Sequence, residues 1–138
     1  MFRLACIAVA LFAFATCVLA QSSVPDLTGT WKGTSESVVL GGGNTHHSKG
    51  SDQSAEMRQV PFTLVVDKQD GRRFAGTFSS PRSSEKVVAV ISRNGAIMMA
   101  DDDGFTVGSV LAPNRIELCY LRATAGARIA SCTEMTKQ

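Results

Sequence analysis

The chain has 138 residues, with 14 Lys and Arg against 12 Asp and Glu and four Cys. Both charge signs are scattered and the longest basic run is Arg72-Arg73, so the electrostatics give no reason to expect nucleic acid or an anionic membrane as partner. A chain of this length is a single domain large enough to bury its own core.

The first element is an address. Arg3 supplies a positive start, Leu4 to Phe14 form an apolar run, and Thr16 to Ala20 end in small residues at Val18 and Ala20. That is the layout of a secretory signal peptide, residues 1–20, cut after Ala20. The run is shorter than the roughly 20 apolar residues of a spanning helix. Residues 21–138 are then the mature domain, and they contain no membrane span. The expected location is secreted or periplasmic. Cys6 and Cys17 leave with the signal, and the remaining Cys119 and Cys132 are expected to pair in an oxidising compartment.

Strand candidates follow at 28–40, 60–68, 73–80, 86–93, 96–101, 105–112, 115–124 and 127–136. Asp70-Gly71, Asn94-Gly95, Asp103-Gly104, Pro113-Asn114 and Ala125-Gly126 punctuate the later ones, and no helical pattern intervenes. Eight strands in a meander predict an all-β fold, an eight-stranded antiparallel up-and-down β-barrel that leaves no exposed edge.

Turn chemistry predicts register. A two-residue turn at Asn94-Gly95 sets Val90 opposite Met99 and Ser92 opposite Ile97. A three-residue loop Gln69-Asp70-Gly71 sets Val66 against Phe74, Leu64 against Gly76 and Phe62 against Phe78. With Ala125-Gly126 as the last turn, Cys119 falls opposite Cys132 in a non-hydrogen-bonded pair, where Cα atoms approach to about 4.5 Å, within disulfide reach. Glu117 and Glu134 then lie side by side on the outer face.

The predicted inward face holds Phe62, Leu64, Val66, Phe74, Phe78, Val88, Val90, Met99, Val107, Leu111, Ile116, Leu118, Tyr120, Ile129 and Met135. Its polar members are Ser92, Ser109, Ser131, Thr133 and Arg122. An apolar lining with scattered hydroxyls suits a small-ligand cavity, and equally a barrel filled by its own side chains. For a ligand at the barrel mouth, Tyr120, Ser109, Ser131 and Arg122 are the expected polar contacts, with Phe62, Phe78 and Met99 as apolar ones. Residues 86–100 are apolar on both faces, so Val87, Ala89, Ile91, Met98 and Ala100 are expected to form an outer patch for a protein partner or a second copy.

Leu27-Thr28-Gly29-Thr30-Trp31 resembles the Gly-x-Trp opening of the calycin barrels: lipocalins, avidins and bacterial metalloprotease inhibitors. Phe74-Ala75-Gly76-Thr77-Phe78 resembles the third strand of avidins. The resemblance implies an eight-stranded barrel that binds a small molecule at its open end or blocks a protease with its N-terminal segment. It also implies structural roles for Gly29 and Trp31, the tryptophan sealing the closed end. Trp31 is the only tryptophan, so the aromatic box of avidins is missing.

His46-His47 sit in the Gly- and Ser-rich stretch 41–51 and are expected on a mobile, solvated loop without a third metal ligand, with a lid over the barrel mouth as the alternative. Asp101-Asp102-Asp103-Gly104 lacks the ligand spacing of a calcium loop and reads as a hairpin turn. No hydrolase elbow, phosphate loop, zinc motif or dinucleotide fingerprint occurs, and a serine triad would have to recruit the His46-His47 loop. The expectation is a protein that is not an enzyme, without cofactor or metal. Its leading role is binding of a small apolar or amphipathic ligand. The second is protein interaction, as an envelope protease inhibitor or a self-associating domain. An open lumen favours the first role and a filled lumen the second.

Overall fold

The computed structural model describes residues 24–138, so the predicted signal peptide lies outside the described residues. Eight strands follow in chain order: β1 (Gly29–Gly41), β2 (Glu56–Asp70), β3 (Arg73–Ser79), β4 (Ser84–Ile91), β5 (Ala96–Ala100), β6 (Phe105–Ala112), β7 (Arg115–Ala123) and β8 (Ala127–Lys137). Each pairs antiparallel with its neighbours, and β1 closes on β8 to complete an up-and-down barrel. The described residues contain no helix. This is an all-β closed barrel, compatible with a calycin-like fold.

The lumen is packed. Trp31, Leu64, Ile97, Ile116 and Met135 are among the fully buried side chains, with Phe62, Val66, Phe74, Val87, Ile91, Met99 and Leu118 around them. Trp31 fills the end where β1 begins, and its indole N–H donates to the Leu27 carbonyl at 2.8 Å. Gln69 ties the incoming chain beneath it, accepting from Leu27 N–H and donating to the Pro25 carbonyl, both at 2.8 Å. Lys137 lies 5.5 Å over the Trp31 ring. Gly29, at φ 111°, supplies the left-handed backbone that turns this segment into β1.

The last hairpin follows its predicted register throughout. Cys119 faces Cys132 with Cα atoms 4.1 Å apart and a formed disulfide, and Glu117 faces Glu134. Arg115 answers Glu134 at 2.8 Å.

Two strands present the opposite face from that predicted. The β4–β5 turn has three loop residues, 93–95: Ser92 N–H donates to Ala96 O at 2.7 Å, and Gly95 takes φ 87°. Val90 therefore faces Met98 and Ile91 faces Ile97. A one-residue slip exchanges every side chain between faces. Val87 and Ile91, expected outside, are buried, and Ala89 packs against the core; Val88 and Val90, expected inside, are exposed. Met98 and Ala100 do lie on the outer surface. β6 is likewise inverted: Thr106 and Val110 turn inward, whereas Val107 and Leu111 are exposed. β4 is apolar on both faces, so alternation had no contrast with which to choose. In β6 the more apolar residues, Val107 and Leu111, lie outside and Thr106 inside, so alternation pointed to the wrong face.

In the β2–β3 hairpin the face is as predicted but the pairing shifts. The turn has two loop residues, Gly71 and Arg72, with Asp70 facing Arg73 and Gln69 facing Phe74, in place of the expected three-residue loop. A bulge between Val66 and Lys68 then restores the predicted face, so that Leu64 faces Phe78 and Val66 faces Gly76. Gly76 is required there, since a Cβ would stand 2.1 Å from the Val65 carbonyl.

Candidate functional site

The end of the barrel opposite Trp31 is closed by residues 42–55, which follow β1 as a folded strap. The backbone pins it at Gly42 N–H to Gly126 O (2.6 Å), Gly50 N–H to Gly41 O (2.8 Å) and Asn44 N–H to His47 O (2.8 Å). Asp103 accepts from Thr45 N–H at 2.9 Å and from its hydroxyl at 2.6 Å, and also pairs with Arg122. Arg58 donates to the Ser48 carbonyl at 2.6 Å and the Lys49 carbonyl at 3.0 Å.

This strap corrects the expectation of a solvated loop. His46 and His47 are 5 % and 3 % exposed and plug the barrel. Composition indicated flexibility, but the imidazoles find partners that only the closed barrel assembles. His46 Nε2 lies 2.7 Å from Glu85 Oε1 and Nδ1 lies 2.8 Å from Ser80 Oγ. Its ring meets Phe62 and Phe78 edge-on, with centroids 5.3 and 5.7 Å away. His47 Nε2 reaches Ser37 Oγ at 3.0 Å and its Nδ1 reaches Asn44 Oδ1 at 3.1 Å. Ser37 in turn donates to Ser131 at 2.8 Å and exchanges a hydrogen bond with Ser35 at 2.9 Å.

Burial dominates the electrostatics. It pushes His47 down to about 4, helped by His46, Arg58 and Arg82, so this ring is neutral at pH 7. Burial also raises the Glu85 carboxyl, and Asp101 and Asp103 push it the same way against the hydrogen bond from His46. For Asp103 burial acts upward, but hydrogen bonds from Thr45 and Arg122 outweigh it and hold the carboxyl below its ordinary range. Burial raises the Tyr120 phenol.

A cavity of about 20 Å³ remains beneath the strap, lined by Asn44, His46, His47, Phe62, Phe78, Asp101, Thr106, Leu118, Tyr120, Ser131 and Thr133. That is room for about one water. Tyr120 Oη is buried without a hydrogen-bond partner, as is Arg122 Nε. The lumen is filled, not open.

Of the predicted ligand contacts, Tyr120, Ser131, Phe62 and Phe78 converge on this cavity. Met99 is buried in the core and does not line it. Arg122 is committed to Asp103 at the rim. Ser109 faces Ala96 and Glu117 on the outer side of the barrel, which removes it from the group. The residues missed were His46, His47, Ser37, Ser80 and Glu85. Their signal was legible in part: Ser35 and Ser37 share the inward parity of Trp31 and Val39, and two hydroxyls in an apolar lumen require partners.

The outer surface carries a second feature. Val88 is 64 % exposed, Phe105 60 %, Leu121 53 % and Met98 47 %, with Val90 and Val107 also exposed. Register makes them neighbours: Val90 faces Met98, Met98 faces Val107, Val88 faces Ala100, Ala100 faces Phe105 and Phe105 faces Leu121. Part of this face forms a shallow depression of about 410 Å³ between β4 and β6.

No family model matches the chain, and no curated protein is similar enough to count as a relative. Among the described residues, no helix is long and apolar enough to cross a membrane and no three His, Cys, Asp or Glu side chains gather as a metal site. The Cys119–Cys132 disulfide is consistent with an extracellular or periplasmic protein.

Proposed function

We propose that this chain is a secreted or periplasmic protein-interaction module that self-associates through the outer face of β4 to β7. The observation that supports it is the contiguous apolar surface of Val88, Val90, Met98, Phe105, Val107 and Leu121 on a barrel whose lumen is already full. Exposed apolar continuity of this kind marks an interaction surface in soluble proteins. Charge polarity selects a second copy as occupant. Arg93 stands exposed at one end of the face, where Arg73 is already paired with Asp70, and Asp102 stands exposed at the other. A two-fold axis across the strands brings the basic end of each copy onto the acidic end of its partner, as an isologous interface requires. Within the calycin-like barrels, this groups the chain with those that act through a surface.

Sedimentation equilibrium of residues 21–138 tests the reading. The expected result is a dimer that Val88→Glu with Met98→Glu converts to monomer without altering the far-ultraviolet spectrum. Arg93→Glu should weaken the dimer, and adding Asp102→Lys should restore it. A wild-type monomer at high micromolar concentration overturns the proposal.

The small-ligand reading retains one observation, the unpartnered Tyr120 hydroxyl in the closed cavity. Native mass spectrometry of protein from its own host distinguishes the two. A small adduct lost on denaturation favours a ligand, and a multiple of the subunit mass favours association.

A further inference from the structure

We propose that Ser80, His46 and Glu85 form a surface hydrolytic triad that cleaves small carboxylic esters. A carboxylate, an imidazole and a hydroxyl stand in one line: Glu85 Oε1 at 2.7 Å from His46 Nε2, and His46 Nδ1 at 2.8 Å from Ser80 Oγ. With Glu85 ionised, Nε2–H donates to the carboxylate and Nδ1 keeps its lone pair for the Ser80 O–H, as a nucleophile–base–orienter relay requires.

The exposure gradient matches that task. The Glu85 and His46 side chains are 5 % and 6 % exposed, whereas Ser80 is half-buried on the turn after β3. The acid and base are thus desolvated, and the nucleophile is the most accessible of the three. His46 is also held rigidly, since Asn44 Oδ1 accepts its backbone N–H at 3.0 Å, and Thr45 beside it is anchored on Asp103. Precise orientation of this kind separates a working base from an incidental contact. The neighbouring Ser37–His47–Asn44 chain does not qualify, because Ser37 is 4 % exposed and its hydroxyl is spent on Ser131.

In the reaction, Ser80 Oγ bonds to the ester carbonyl carbon as its proton passes to His46 Nδ1. The C–O bond to the leaving group then breaks, and the alcohol departs with that proton. Water next gives a proton to Nδ1 and attacks the acyl-serine, releasing a carboxylic acid and returning the proton to Ser80. Arg82, two residues along the same turn, donates its backbone N–H to Ser80 Oγ at 3.2 Å, which stabilises negative charge on that oxygen as its proton leaves. Esters suit a site with one half-buried nucleophile better than amides, whose leaving group demands fuller protonation. Glu85 acts as a positioning residue.

Incubation of the mature protein with a fluorophosphonate, followed by intact mass and peptide mapping, tests the assignment. One adduct on Ser80 is expected, absent in Ser80→Ala, together with 4-nitrophenyl acetate hydrolysis that falls to the buffer rate in that variant. Glu85→Gln should slow labelling by at least about tenfold and shift its pH profile. Should that variant fail to fold, Ser80→Cys replaces it: its thiol should alkylate at least tenfold faster at pH 7 than that of Ser84→Cys, on the exposed start of β4. A folded protein that takes no adduct, or takes it elsewhere, overturns the proposal, as does equal alkylation of the two cysteines. The three residues would then be a plug alone.

Discussion

Replacing Val87 and Val88 separately by alanine tests the inversion of β4 at adjacent positions. Val87 is 1 % exposed and Val88 64 %. At Val87 the change removes two buried methyl groups, about 1.6 kcal/mol at ~0.8 each, and the cavity left behind brings the cost to about 2–3 kcal/mol. At Val88 the same chemistry removes atoms already in water, and the expected cost is below about 0.5 kcal/mol. The difference in strand preference between valine and alanine enters both variants and cancels in the comparison. Urea unfolding at submicromolar protein, where self-association is negligible, reads the difference. For slopes of roughly 1–2 kcal/mol/M, the Val87→Ala midpoint should fall by about 1–3 M, with Val88→Ala near wild type. If Val88→Ala is the more damaging, the turn has two loop residues, Val90 faces Met99, and the outer face described above does not exist.

Replacing Cys119 and Cys132 by serine opens a loop with sequence separation 13 and should lower stability by about 3 kcal/mol through the unfolded chain, read by the same urea midpoint. Titration of the native protein should find neither thiol free. Trp31→Phe strands the buried Leu27 carbonyl and leaves a void at the sealed end; about 1–3 kcal/mol should be lost, measured by thermal unfolding. Acid should destabilise the fold through His47. Its folded pKa of about 4 lies below its ordinary 6.5, so the unfolded chain takes up the proton first, and stability present above pH 6.5 is lost as pH falls towards 4. Glu85 has the opposite sign, since burial raises its carboxyl and acidification relieves it. His47→Gln should therefore flatten the decline in unfolding free energy between pH 6.5 and 4, and an unchanged slope would remove His47 as its source.

The eight strands and the order of the meander were legible, because turn residues and β-branched runs act locally, although β2 begins four residues before its predicted start. The closing hairpin was legible to the residue: Ala125-Gly126 and the two cysteines constrain one register, and the pairing obeys it. The face of β4 was not, since Val87 and Val88 are equally apolar and one loop residue decides which of them meets the core. Nor was that of β6, where Thr106 turns inward and the apolar Val107 and Leu111 outward. The closed site was least legible of all. Ser37, His46, His47, Ser80 and Glu85 come from β1, the strap, the β3–β4 turn and β4, and nothing local in 41–51 distinguishes a solvated loop from a plug. The partners that bury those imidazoles exist only once the sheet has closed, so tertiary structure alone placed two histidines inside the barrel.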